Sequence, residues 1–241
     1  MNLLQAILLG LLQGITEFLP ISSSGHLVVA ESLLGLEVSG LKDFDIALHV
    51  ATLLAILIYF RRDLLKTEWW PWLILGSVPA AILGFALEDQ IDATFRNAES
   101  IGVFMLIMGA LFLLPQRKNN KPLTWWRGLL MGCGQALAII PGVSRSGATI
   151  FTGMQLGMKR EEAARFSFLL GAIAIAGAGL LKALDAESLQ LSWSILSAGF
   201  IASFISSLLA VSWLMKFLKN HSLRVFGVYR IGLGLLILLF L

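Results

Sequence analysis

Charge is scarce in this chain of 241 residues: only 14% of it is Asp, Glu, Lys or Arg, and no Lys or Arg precedes Lys42. With 57% apolar residues and a mean hydropathy of +0.83, that scarcity excludes a soluble globular domain and predicts an integral membrane protein. The missing cation before the apolar start argues against a cleaved secretory leader, so the first residues are expected to be structure. Cysteine is nearly absent as well. The single Cys133 excludes a disulfide within the chain, and its apolar, Gly-rich surroundings predict a small buried hydrophobe without redox chemistry. The net charge of +3 does not imply nucleic acid, because the cations fall in short clusters between apolar segments, as topology signals do.

Apolar runs of about 17 to 25 residues predict six spanning helices, at about 44 to 60, 71 to 87, 99 to 115, 163 to 181, 191 to 215 and 224 to 241. Two further apolar stretches, 2 to 35 and 125 to 158, are broken near their middles by "LPISSSGH" and "IIPGVSRSGAT". Positive-inside counting separates the loops. Arg61, Arg62 and Lys66, then Arg117, Lys118, Lys121 and Arg127, then Lys216, Lys219 and Arg224 mark inside loops. Glu88, Asp89, Asp92 and Glu99, and later Asp185 and Glu187, mark outside ones, which places both termini outside. The second broken stretch then starts and ends inside, as a re-entrant hairpin does.

The chain also repeats itself. At an offset of 122, Gly10 falls on Gly132, Gln13 on Gln135, Ser22 on Ser144, Ser24 on Ser146, Gly25 on Gly147 and Phe44 on Phe166; at 125, "GVFMLIMG" from 102 falls on "GVYRIGLG" from 227. Residues 1–121 and 122–241 are each expected to form one hairpin and three spans. An odd number of crossings inverts one half relative to the other. The expected fold is an all-α integral membrane domain with an inverted-topology repeat, six transmembrane helices and two re-entrant hairpins. Gly232 and Gly234 are read as helix packing, since no strand precedes them.

Irregular backbone at membrane depth must be buried in protein or face a watery cavity. Two inverted hairpins bring their tips together near the midplane, where broken helices offer free N–H groups to anions. Both tips place Ser or Gly where a helix N-cap would sit, ready for a phosphate. Arg145 would cost about 2.5 to 3.5 kcal/mol at the centre of a spanning helix, so it calls for an anionic partner. Its fork suits two phosphate oxygens, or Glu17 in a purely structural pair. Gln13 and Glu17 share one face of the first arm, and Glu17 is placed to orient water, bind a divalent cation or act as a base. His26 is the one histidine in either tip and is placed to activate a hydroxyl. Ser22, Ser23, Ser24, Ser144, Ser146 and Thr149 supply hydroxyls, most of them as caps and phosphate ligands. His49 reads as structural and His221 as solvated.

"LLQGITEFLPISSSGHLV" and "PGVSRSGATI", with "FDIALHVATLLAILIYFRRDL" between them, resemble the signatures and first span of the undecaprenyl-diphosphate phosphatase family, the bacitracin-resistance proteins. The resemblance runs along essentially the whole chain. The chain is short for the family in the loops at 36 to 43 and near 116 to 124, outside both signatures. The resemblance implies a bacterial inner-membrane enzyme that cleaves the C55 isoprenyl diphosphate to undecaprenyl phosphate, the carrier lipid of peptidoglycan synthesis, with its site open to the extracytoplasmic side. Bacitracin would then compete for the substrate without binding the protein. The family's acidic motif falls on Gln13 and Glu17, where Gln13 leaves one carboxylate in place of two. Its Ser and His positions fall on Ser22, Ser23 and His26, and its arginine motif on Ser144, Arg145, Ser146, Gly147 and Thr149.

On this reading Glu17, Ser23, His26 and Arg145 are catalytic. Gln13, Ser22, Ser24, Gly25, Ser144, Ser146, Gly147 and Thr149 bind substrate. The favoured scheme makes Ser23 the nucleophile, activated by His26, with Glu17 orienting His26 or a bound divalent cation, Mg or Ca. Water activated by Glu17 or His26, and phosphorylation of His26 itself, are the alternatives. No organic cofactor is expected; the partners are the polyprenyl diphosphate and membrane lipids, and the fold admits a homodimer. The pattern of broken helices alone also fits a lipid or small-molecule transporter or flippase.

Overall fold

The computed structural model describes residues 1–36, 41–117, 120–184 and 192–240. Lys118, the acidic loop of Asp185 and Glu187, part of the short loop at 36 to 43 and the final Leu241 lie outside the described residues. Among the described residues the chain is all-helical, with no strand.

Helix α1 (Leu3–Phe18) begins in a capping box, in which the Asn2 side chain accepts from the Gln5 N–H and the Gln5 side chain accepts from the Asn2 N–H. It stops short of Pro20, and after a tight turn α2 (Ser23–Leu33) begins. Helices α3 (Lys42–Tyr59), α4 (Trp70–Phe95) and α5 (Ala98–Leu113) follow. The same series then recurs. A broken pair, α6 (Trp125–Leu137) and α7 (Arg145–Gln155), turns through Pro141 and Gly142, whose φ of 94° suits glycine. After it come α8 (Arg160–Leu184), α9 (Trp193–Asn220) and α10 (Arg224–Phe240).

Among the described residues three helices are long and apolar enough to cross a membrane: Thr67–Leu87, Arg160–Leu181 and Trp193–Asn220. A fourth is added if Asp89–Phe95 and Ala98–Leu113, which meet at 95°, count as one bent span. This is fewer than the six spans expected. The runs that fall short are α3, α5 and α10, with 18, 16 and 17 residues; at 1.5 Å per residue they reach about 24 to 27 Å, less than a hydrocarbon core of about 30 Å. The outer surface is nonetheless apolar on nearly every helix, with Ile74, Phe85, Leu209, Val228 and Leu239 all more than half exposed. Water would not tolerate so continuous a belt, but lipid covers it at no cost.

The two broken pairs are held by helices of the other half. α1 lies against α9, where a methyl on Gly10 would collide with the Gly199 carbonyl, and α6 lies against α4, where one on Gly132 would collide with Gly76. These close approaches need small residues. Between the pairs lies an aromatic core in which Phe168 stands 5.4 Å from Phe18 and 5.6 Å from Phe60. Cys133 departs from expectation: it is exposed. α6 buries Gly128, Met131, Gly132 and Gln135, so Cys133 falls on the opposite stripe with the exposed Leu130 and Leu137.

Candidate active site

The two breaks share one backbone shape. Ser22 precedes α2 with φ 74° and ψ 92°, and Ser144 precedes α7 with φ 73° and ψ 112°. Both are left-handed conformations that cost a non-glycine residue free energy and cluster at functional sites. In each tip the serine two residues on returns a hydroxyl: Ser22 Oγ to Ser24 Oγ, and Ser144 Oγ to Ser146 Oγ, both at 3.4 Å. Their caps differ. Ser144 Oγ accepts from the Gly147 N–H at 3.2 Å, whereas no side chain caps α2, leaving its first N–H groups for an anion.

Glu17 joins the tips. It closes α1, is 8% exposed, and its Oε1 accepts from Arg145 Nη2 in the opposite tip. Its Oε2 accepts from Gln13 Nε2 at 2.9 Å and from Ser23 Oγ at 2.7 Å. One carboxylate thus holds the hydroxyl of one tip and the guanidinium of the other. Arg145 is further fixed by donating Nη1 to the Gly171 carbonyl at 2.9 Å. His49 Nε2 stands 3.8 Å from Glu17 Oε2, so the histidine read as structural in sequence belongs to this cluster. The expected pairing of His26 with Ser23 gives way to another arrangement. His26 Nδ1 lies 2.7 Å from the Ser22 carbonyl and Nε2 2.8 Å from Tyr229 Oη, so both ring nitrogens are engaged away from Ser23, and Glu17 is the group bonded to that hydroxyl.

Other predicted ligands are placed differently from one another. Ser24 and Arg145 line a cavity of 390 Å³ with His49, Asp45, Asp89, Asp92 and Arg96, walled by Leu27, Ile46, Val50 and Ile175. Ser22, Ser144 and Ser146 are buried and shape the turns; Ser146 Oγ donates to the Leu19 carbonyl at 3.3 Å, across to the first tip. Gly25 and Gly147 are packing positions, against Ile101 and Met105 and against the Phe112 ring. Thr149 is fully buried, its hydroxyl spent on the Arg145 carbonyl at 2.8 Å and on Ser167 Oγ, so it does not face the cavity. Glu17, the residue expected to hold a divalent cation, accepts here from Arg145, Gln13 and Ser23. Among the described residues no three His, Cys, Asp or Glu side chains converge as metal ligands.

Two residues of α10 were not singled out in sequence. Arg230 is fully buried and donates to both tips: Nη1 to the Pro20 carbonyl at 3.3 Å, and Nη2 to the Val143 carbonyl at 3.2 Å and to that of Gly142. It bolts the two breaks together and lies 5.5 Å from the Phe112 ring centre. Tyr229, beside it, meets His26. The repeat carried the signal, since "GVFMLIMG" puts Met105 opposite Arg230; a cation in place of methionine within an apolar helix asks for a partner.

Residues 6–236 match the family model of the bacitracin resistance protein BacA. The chain is 40% identical over 269 residues to an undecaprenyl-diphosphatase of Methanosphaera stadtmanae, covering 98% of this chain and 97% of that one. It is 41% identical over 257 residues to an undecaprenyl-diphosphatase of Elusimicrobium minutum, covering 99% and 98%. It is also 38% identical over 265 residues to undecaprenyl-diphosphatase 1 of Pseudoalteromonas translucida, covering 100% and 99%.

Proposed function

The chain belongs to the bacitracin resistance protein BacA family, and from that premise we propose that it is a multi-pass membrane undecaprenyl-diphosphatase that releases inorganic phosphate from the C55 diphosphate and returns undecaprenyl phosphate to peptidoglycan synthesis. The observation that carries the chemistry is the Ser23–Glu17–Arg145 chain of contacts across the two tips. A diphosphatase needs an aligned nucleophile, a base and fixed positive charge where the transferred oxygens gather charge. In the proposed step Ser23 Oγ gives its proton to Glu17 and attacks the terminal phosphorus, while the bond to the bridging oxygen breaks and undecaprenyl phosphate departs. Arg145 and the uncapped N–H groups of α2 hold the equatorial oxygens. Water then cleaves phosphoserine to phosphate, with the Nε2 lone pair of His26 as its base. Any Mg or Ca ion is expected to arrive on the diphosphate.

The reading takes 1–121 and 122–241 as inverted repeats with six spans and two re-entrant hairpins. In its support, Gly102 packs on Gly234 and Gly109 on Gly227, two contacts that exchange into each other under the 125-residue offset. It also sets the cavity on the extracytoplasmic face with both termini outside. Asp89 and Asp92 stand at the cavity, whereas at the other ends of α3 and α8 a cleft of 790 Å³ gathers Lys66, Arg117, Lys159, Arg160, Arg165 and Lys219, the charge of a cytoplasmic face. Hydrolysis lowers the diphosphate that bacitracin sequesters, so resistance needs no drug site on the protein. The family favours hydrolysis over transport. Detergent-purified protein, with no compartments to move lipid between, is expected to release phosphate from undecaprenyl diphosphate and to form an acid-stable phosphoenzyme lost in Ser23→Ala. Lipid movement between leaflets without phosphate release would sink the enzyme reading, and undiminished release by Ser23→Ala would move the attack to water.

A further inference from the structure

The Ser22 carbonyl has only lone pairs to offer, so the proton between it and His26 belongs to Nδ1. In the neutral imidazole Nε2 then carries the only ring lone pair, and the group facing it at 2.8 Å is the Tyr229 hydroxyl. The two rings lie almost parallel, 7° apart with centroids 5.8 Å from one another, so the contact restrains the ring plane as well as the lone pair. Tyr229 reaches this position from α10, where the next residue, Arg230, is fully buried and anchored on the carbonyls of both tips. That anchor fixes the height of the tyrosine beside the first tip.

The internal repeat supplies an independent observation. Under the two offsets Tyr229 corresponds to Phe104 and His26 to Ala148. The pair of positions on α2 and α10 therefore carries imidazole and phenol, and its repeat counterpart on α7 and α5 carries neither. Phe104 instead packs on Phe95 at 5.7 Å, edge to face. A tyrosine retained only for packing would not need its hydroxyl to be matched with a histidine across the molecule.

We propose that Tyr229 is the positioning residue of His26 in the diphosphatase reaction: its hydroxyl donates to Nε2, selects the Nδ1–H tautomer and keeps the lone pair turned from the Ser23–Glu17 pair until the phosphoenzyme is to be hydrolysed. The division of labour follows. Glu17 serves the serine in the first half-reaction, and His26 is held in reserve for water in the second. The inference rests on the diphosphatase reading for its kinetic part; the tautomer part stands on geometry alone.

The test is Tyr229→Phe, which keeps the ring and removes the hydroxyl, in the full-length protein in detergent with ¹⁵N-labelled histidine. The resting Nε2 resonance is expected at the shift of a hydrogen-bonded acceptor in wild type and to move in Tyr229→Phe. Tyr59→Phe, which alters the one other tyrosine, is expected to leave it in place. Steady-state kcat on undecaprenyl diphosphate is expected to fall about tenfold, the loss of one hydrogen bond to a working group, with KM changed less than about twofold because the phenol binds no phosphate. The phosphoenzyme should accumulate in Tyr229→Phe, and the substitution should have no further effect in a His26→Ala background. An unmoved Nε2 resonance, or an equal loss with and without His26, overturns the proposal. A wild type that releases no phosphate overturns the diphosphatase reading and leaves the ¹⁵N result to be judged by itself.

Discussion

The two tips are the same bend of chain put to different uses. Both carry a left-handed serine, at Ser22 and Ser144, and both fold a second serine hydroxyl back at 3.4 Å. From there they part. The second tip is closed: Ser144 caps its helix, and Thr149 spends its hydroxyl on backbone and on Ser167 of α8. Its single outward group is Arg145. The first tip is left open, with no side-chain cap on α2 and with Ser23 bonded to a carboxylate. On the proposed function the closed tip holds charge and the open tip reacts, a sensible pair because preorganised donors stabilise a transition state only if they do not move as charge develops. The bends match in backbone, and their different side chains are what make one tip a clamp and the other a reagent on the proposed function.

The largest expected effect comes from cutting the link between the tips. Glu17→Gln should lower kcat by about 10²- to 10⁴-fold, the usual contribution of a positioned base, in a phosphate-release assay. Because it leaves Arg145 facing a neutral partner, it should also lower the thermal midpoint. Pairing it with Arg145→Met should restore part of that midpoint but none of the activity. Arg145→Lys ranks next: the charge stays, but the planar fork that reaches the Gly171 carbonyl and Glu17 from two separate nitrogens is lost. A loss of about 10²-fold in kcat/KM is expected, comparable with removing one fixed donor.

Thr149→Val sharpens the contrast from the quiet side. If the second tip is structural at this position, stability should drop by about 1 to 2 kcal/mol from a lost buried hydrogen bond, with KM nearly unchanged. A rise in KM of about tenfold or more would restore Thr149 as a phosphate ligand. The smallest effects belong to the bends themselves. Ser144→Ala should cost about 1 kcal/mol for the lost cap. Ser22→Gly, which relieves a positive φ at a position without a cap, should be neutral or stabilising by up to about 1 kcal/mol in thermal unfolding. Equal behaviour of the two sites would mean the tips are not differentiated in the way the hydrogen bonds suggest.

Much of this was legible in the linear chain. Pro20 and Pro141 break apolar stretches where no helix can continue, and Gln13 and Glu17, one turn apart on α1, meet as helix periodicity requires. Arg145 was marked by its cost in an apolar setting, and the pair it makes with Glu17 was one of two partners foreseen. The hydrogen-bond partner of the Ser23 hydroxyl is Glu17 and not His26. His26 follows Ser23 by three residues and invites a local pairing, yet the ring turns to Tyr229, 203 positions away. His49 was passed over because its neighbours in sequence are apolar, and only the packing of α3 against α1 brings it to Glu17. Cys133 was misplaced because a helix has two apolar sides when lipid is the solvent, so hydrophobic surroundings in sequence do not distinguish inside from out.

The sequence by itself determined the lipid solvent, the two broken stretches, their repeat and the roster of polar groups within them, since these depend on composition and on contacts within one or two helical turns. The tertiary structure decided which groups meet. Glu17 reaches Arg145 across 128 residues, and Arg230 reaches both tips from the last helix, because glycines at 10, 132, 102 and 109 let backbones approach one another. Where an approach is governed by the absence of side chains, the pattern of side chains along the chain cannot announce which hydroxyl will lie beside which carboxylate.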